Sequence, residues 1–551
     1  MGVQKSLVLG MQALLVLACL LALTKPTSAA CNVNWEDEPD FNPKDFPDNF
    51  TYGSAVSAYQ VEGAASEYGR GPSIWDTLTH KYPGAIADKS NGDVAIDFYH
   101  RYEDDLKAMN DTGLKAFRFS ISWSRLIPTG NIADGVNEEG IEFYNSLINT
   151  SIALGLEPFV TIFHWDTPQG LEDSYGGFLS EKIVRDYMDY TNLCFQRFGD
   201  RVKKWITLNE PWAYAYYGYD TGEFAPGRCS PWGSCVNQTG NSATEPYIVT
   251  HNMLLAHAAA VQQYREQYVS TDATLASQNG SIGITLCTYW MEPFNSSDTS
   301  DIEAAKRALA FNYGWYMDPL TYGRYPASMV EYVGGRLPNF TTAESEMIKG
   351  SYDFIGLNYY TSRYVKYDNE SFIDAEHMSY STDAQGDQLY SNASGHCIGP
   401  EAGLVWLRVY PYGIRALLNE TKNAYKDPVI YVTENGMAHE DNPLDTCDSA
   451  SIDEIIYDTE RINYYNAHLG YVGLALNEDK VDVRGYFAWS FFDNFEWSSG
   501  YTQRFGLTYI NYTDNLARVP KASRIWFRSK LTNPQNSKVS EPKWSRPYGA
   551  M

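Results

Sequence analysis

Trp205-Ile206-Thr207-Leu208-Asn209-Glu210-Pro211 decides how this chain is read. An apolar run of the kind buried on both faces ends in two polar side chains, and Pro211 then stops the strand. Val429-Ile430-Tyr431-Val432-Thr433-Glu434 repeats the arrangement far downstream, with Asn435-Gly436 making the turn. Working outward, similar runs recur at Phe50–Gln60, Ala116–Trp123, Pro158–Trp165, Ile282–Trp290, Phe354–Tyr360 and Gly485–Ser490. Segments of helical spacing lie between them, among them Ile183–Phe198, Tyr247–Tyr268 and Thr459–Asn477. Eight apolar runs alternating with helices predict an α/β chain folded as a single (β/α)₈ barrel with extended βα loops. No linker rich in Pro, Gly or Ser and no break in composition divides the chain, so residues 31–551 are expected to form one barrel domain.

Functional-type residues collect at the C-terminal ends of the runs: Gln60, His164, Glu210, Tyr360, Glu434 and Trp489, with Arg118 lying earlier in its run. Barrel enzymes build their sites at that face, where the βα loops converge. On strands four and seven, Glu210 and Glu434 would face each other over the barrel centre. Facing carboxylates are the standard equipment for breaking a glycosidic bond, with retention of configuration when they approach within about 5–5.5 Å. Like charges that close cannot both ionise easily, so one carboxyl keeps its proton and donates it while the other attacks.

The two motifs resemble the acid/base and nucleophile motifs of family-1 glycoside hydrolases. Phe50-Thr51-Tyr52-Gly53-Ser54-Ala55-Val56-Ser57-Ala58-Tyr59-Gln60-Val61-Glu62-Gly63-Ala64 is similar to that family's N-terminal signature, and the likeness runs over roughly residues 40–530. Phe224-Ala225-Pro226-Gly227-Arg228-Cys229-Ser230 resembles the plant β-glucosidase branch. The resemblance implies that Glu210 is the acid/base and Glu434 the nucleophile, supported by Arg118 and Tyr360. It implies that Asn209 holds the sugar 2-hydroxyl, that Gln60, His164, Trp489 and Glu496 bind the other hydroxyls beside Trp497, and that Phe505 lines the sugar pocket. Trp406 would stack on the aglycone, opposite Tyr217 and Phe224, with the small Ser498 leaving that side open.

Independently, the stretch Trp489 to Trp497 offers an aromatic floor for a sugar ring and planar hydrogen-bonding groups at its edge. Related thioglucosidases carry Gln in place of the acid/base Glu, so Glu210 points to O-glycosides. A sugar-binding barrel without turnover is disfavoured because both carboxylates are present. Transglucosylation shares the same covalent intermediate and is not separable in sequence. The expected substrate is a small β-glucoside with an aromatic or apolar aglycone.

The chain has a formal charge of −26 and a pI near 4.7, which repels phosphate backbones and anionic headgroups. Nucleic-acid and membrane partners are therefore not expected. Lys5, the apolar run Ala13 to Leu23, and the small residues Thr27 to Ala30 read as a signal peptide over residues 1–30. The run is shorter than the ~20 residues of a membrane span. Asn-x-Ser/Thr sequons begin at Asn49, Asn110, Asn149, Asn237, Asn279, Asn295, Asn339, Asn369, Asn392, Asn419 and Asn511, as in a secreted glycoprotein. The expected destination is the apoplast, cell wall or vacuole. Cys229 and Cys235 flank a short loop and can close a disulfide; Cys31 and Cys447 are candidates for a second. The cysteine spacings match no zinc pattern, and no metal or cofactor is expected. Oligomeric state, a homo-oligomer included, is left open.

Overall fold

The computed structural model describes residues 31–269, 278–368, 376–440 and 455–532. Eight parallel strands close a barrel: β1 (Thr51–Ala55), β2 (Ala116–Ser120), β3 (Glu157–Phe163), β4 (Lys204–Asn209), β5 (Ser281–Cys287), β6 (Phe354–Asn358), β7 (Ile430–Asn435) and β8 (Val483–Trp489). Each strand neighbours the next in sequence, and β1 pairs β8 from Thr51↔Gly485 to Ala55↔Trp489. Each of the eight apolar runs overlaps one of these strands. The expected helices are also present, as Lys182–Phe198, Glu245–Gln267 and Thr459–Asn477.

Two runs overshoot. The first strand ends at Ala55, and Gln60 lies in a short helix, Ala58–Val61, because Val56 and Ser57 turn the chain. Trp290 belongs to a separate strand, Trp290–Pro293, which pairs in parallel with Ser362–Tyr367 above the barrel rim.

The barrel interior is layered. At the bottom, Ala116, Phe159, Ile206, Phe354, Tyr431 and Phe487 form an apolar plug. Gly53 accommodates it: a Cβ there would lie 2.4 Å from the Phe487 ring. Above the plug comes a hydroxyl layer in which Thr285 Oγ1 donates to Thr433 Oγ1 at 3.2 Å. The carboxylates sit above that. Strand register shifts between Ile206 and Asn209 on β4, and between Val432 and Glu434 on β7. Such irregularities insert a residue and re-aim the side chains that follow. Both fall immediately before the functional residues.

Cys229 and Cys235 are joined, as expected. Cys31 pairs instead with Cys397, across 366 residues of sequence. Cys447, Asn369 and the expected signal peptide lie outside the described residues. Among those described, no helix is long and apolar enough to cross a membrane.

Candidate active site

Glu210 follows β4 directly and caps the helix Pro211–Tyr219 from a left-handed backbone conformation, φ 44°. A non-glycine residue pays strain there, and such outliers cluster at working sites. Trp165 (φ 73°) and Trp497 (φ 48°), which line the same cleft, share the feature. The Glu210 backbone is fixed by its N–H, which donates to Thr285 O at 2.9 Å.

The two carboxylates have unequal surroundings. Glu434 Oε1 accepts from Arg118 Nη1 at 2.5 Å, and its Oε2 accepts from the Tyr360 hydroxyl at 2.6 Å. Arg118 is fully engaged in the barrel interior, donating also to Thr433 O, Thr161 Oγ1 and Asn209 Oδ1. Glu210 has no such cation on it. Its Oε1 accepts from Asn358 Nδ2 at 2.6 Å, and Cys287 lines the cleft with it. Burial, then the charge of Glu434, pushes the Glu210 pKa up to about 8. Burial raises Glu434 too, but Arg118 opposes it first, followed by hydrogen bonds from Tyr360, Arg118 and Asn358. Glu210 is thus the carboxyl that holds a proton, and Glu434 the one furnished with donors for its anion.

Asn358 was visible in sequence only as part of the run Phe354–Tyr360. Thr433 Oγ1 donates to its Oδ1 at 2.7 Å, which turns the amide nitrogen toward the carboxylates. That amide donates to Glu210 and to Asn209 Oδ1 (3.2 Å), and it lowers the pKa of Glu434 as well, so one side chain acts on both carboxyls. Asn209 is oriented by the same logic. Its Oδ1 accepts from Arg118 Nη2 at 2.6 Å, so its Nδ2 donates to His164 Nε2 at 3.0 Å. His164 therefore carries its proton on Nδ1, which is buried and makes no hydrogen bond within the protein. Burial, then Arg118, holds this histidine neutral.

The cleft spans about 930 Å³, the open solvent at its mouth included. His164, Asn209, Glu210, Tyr360, Glu434, Trp489, Glu496, Trp497 and Phe505 line its inner end. Glu496 is a third raised carboxyl, pushed to about 8 by burial and then by Glu434 and Glu210. Gln60 is not on the wall. It is fully buried, its Nε2 donating to Asn494 Oδ1 (2.9 Å) and Phe495 O (2.8 Å) and lying 3.5 Å from Glu496 Oε2. It holds the loop that presents Glu496. Trp406, Tyr217, Phe224 and Ser498 line the outer end, joined by Trp212 from the helix Pro211–Tyr219, Leu404 from a short strand, and Glu223 and Tyr289 from loops. Among the described residues, no group of three or more His, Cys, Asp or Glu side chains is placed to hold a metal ion.

Comparison with known proteins gives the family. The model of glycosyl hydrolase family 1 matches residues 42–535. The chain belongs to glycosyl hydrolase family 1. This family-1 chain is 54% identical to β-glucosidase 24 of Oryza sativa subsp. japonica, over 89% of its own length and 94% of the relative's. It is 48% identical to raucaffricine-O-β-D-glucosidase of Rauvolfia serpentina, over 92% and 94%. A rice β-glucosidase mutant, solved in a covalent complex with glucose, superposes with a TM-score of 0.85 at 47% identity, covering 89% of this chain and 99% of that one. Glycoside hydrolysis is the chemistry of this family-1 enzyme, and its relatives place it among the β-glucosidases.

Proposed function

We propose that the chain is a retaining β-glucosidase acting on O-glucosides with aromatic or apolar aglycones. The unequal surroundings of the two carboxylates carry this reading. Glu434, kept anionic by Arg118 and Tyr360, attacks the anomeric carbon as Glu210 protonates the departing oxygen. The aglycone leaves and a glucosyl ester on Glu434 remains. Glu210, now ionised, then takes a proton from water, whose oxygen displaces Glu434 and releases β-glucose. A single amide, Asn358, that bonds Glu210 and also lowers the pKa of Glu434 favours the close spacing of retaining enzymes over the wider one that admits a water between them. Asn209, His164, Trp489 and Glu496 would hold the sugar, and the aromatic outer wall suits a flat or greasy leaving group.

Secretion and glycosylation belong to the same proposal. Two disulfides are typical of oxidising compartments, and none of the sequon asparagines among the described residues is buried.

Azide separates the two carboxylate roles. Glu434→Gly with added azide should yield the α-glucosyl azide, and Glu210→Gly the β-glucosyl azide. Reversed products would mean the assignment is inverted.

A further inference from the structure

The outer wall of the cleft is assembled from separate loops. Tyr289 follows β5, whereas Trp406 lies on a short strand, Leu404–Arg408, in the long connection from β6 to β7. Neither residue is covalently close to the other, yet together they bound the space that a leaving group must occupy. What ties them is a buried arginine behind the wall.

Arg363, 4% exposed, stands on the strand Ser362–Tyr367, in register with Met291 beside Tyr289. Its guanidinium lies 4.8 Å from the centre of the Tyr289 ring and 4.8 Å from that of Tyr390. In its plane, Nη2 donates to Trp406 O at 2.5 Å, and Nη1 to Ser362 O at 2.8 Å and Thr361 Oγ1 at 3.2 Å. Thr361 in turn binds both backbone groups of Arg408, two residues past Trp406. Arg408 covers Tyr390 at 4.4 Å. A planar cation can stack on rings with its faces while donating from its edge; an ammonium cannot do both.

We infer that Arg363 is a specificity-determining positioning residue, which sets the gap between Tyr289 and Trp406 and so selects flat aromatic aglycones. The inference rests on the aromatic-aglycone reading above. Arg363 does not line the cleft and touches no reacting group. Its effect is confined to the step in which the aglycone is present, because the glucosyl-enzyme intermediate has already lost it.

Three substrates test this in the full-length enzyme: a flat two-ring glucoside (4-methylumbelliferyl), n-octyl glucoside, and 2,4-dinitrophenyl glucoside. With the last, loss of a very good leaving group leaves deglucosylation to set kcat. Arg363→Met should lower kcat/KM for the two-ring glucoside about tenfold relative to octyl glucoside. The dinitrophenyl kcat should stay within about twofold. Arg363→Lys should not restore the preference, since it keeps the charge but loses the plane. Tyr390→Leu, which leaves Arg363 in place and removes the ring behind it, gives a second route to the same selective loss should Arg363 variants fail to fold. Equal falls for all three substrates, or an unchanged preference, would overturn the role of Arg363 alone. Failure of the unaltered enzyme to hydrolyse any aryl glucoside would overturn the aromatic-aglycone reading and this inference with it.

Discussion

Glu210→Gln keeps the side chain's shape and its acceptor oxygen for Asn358, and removes the possibility of a charge. In the folded protein the Glu210 carboxyl ionises only near pH 8, against 4.5 for the free group. A carboxyl raised on folding contributes its stability below the unfolded value, and that contribution is lost as pH climbs through the folded one. At pH 7 the unfolded chain releases a proton that the folded enzyme retains, a penalty of roughly 3 kcal/mol on folding. Removing the carboxyl removes that penalty. Glu210→Gln should match the unaltered enzyme in stability at pH 4.5 and exceed it by a few kcal/mol at pH 7.5, seen as a rise of several degrees in Tm. Denaturant or thermal unfolding at both pH values, at one scan rate, reads the difference, while turnover of an aryl glucoside collapses in the same variant. A stability gain equal at both pH values, or none at pH 7.5, would refute the claim that burial against Glu434 holds Glu210 protonated.

Two other substitutions probe the supports of the site. Asn358→Ala deletes an amide that favours the ionised form of both carboxyls, so both limbs of the kcat/KM profile should move upward, the alkaline limb by about one pH unit; a limb that stays or moves down contradicts the bridging role. Asp493→Ala leaves Arg504 and Lys521 without the buried carboxylate that pairs them at 2.9 and 2.7 Å, and should destabilise the barrel by about 3–5 kcal/mol, measured as denaturant midpoint or as loss of soluble enzyme.

The barrel was legible because its strands are apolar on both faces and their ends are punctuated by residues that cannot continue them. The inner end of the cleft was legible for a related reason, since strand ends deliver its residues. Asn358, though inside the apolar run Phe354–Tyr360, gave no signal of its own, because its importance comes from the hydroxyl of Thr433 turning the amide. Gln60 was expected in a strand, yet two residues of turn place it on a helix behind the wall. The outer cleft was least legible. Tyr289 and Glu223 reach it from irregular loops, Leu404 from a short strand outside the barrel, and Arg363 acts through contacts between segments that no periodicity connects. The pairing of Cys31 with Cys397 is of the same kind: spacing does not encode which distant loop ends meet.

Closure of the barrel also imposes an order in time. β1 needs β8 on one side, and the Ser54 hydroxyl bonds Ala488 O across a separation of 434 residues. At about 5–20 residues per second of synthesis, β1 waits on the order of half a minute or more for that partner. Through that interval one edge of the strand stands open, the kind of edge that recruits wrong partners. Asn49, an exposed sequon residue just ahead of Thr51, would place a bulky hydrophilic glycan beside it. The first strand made is the last completed.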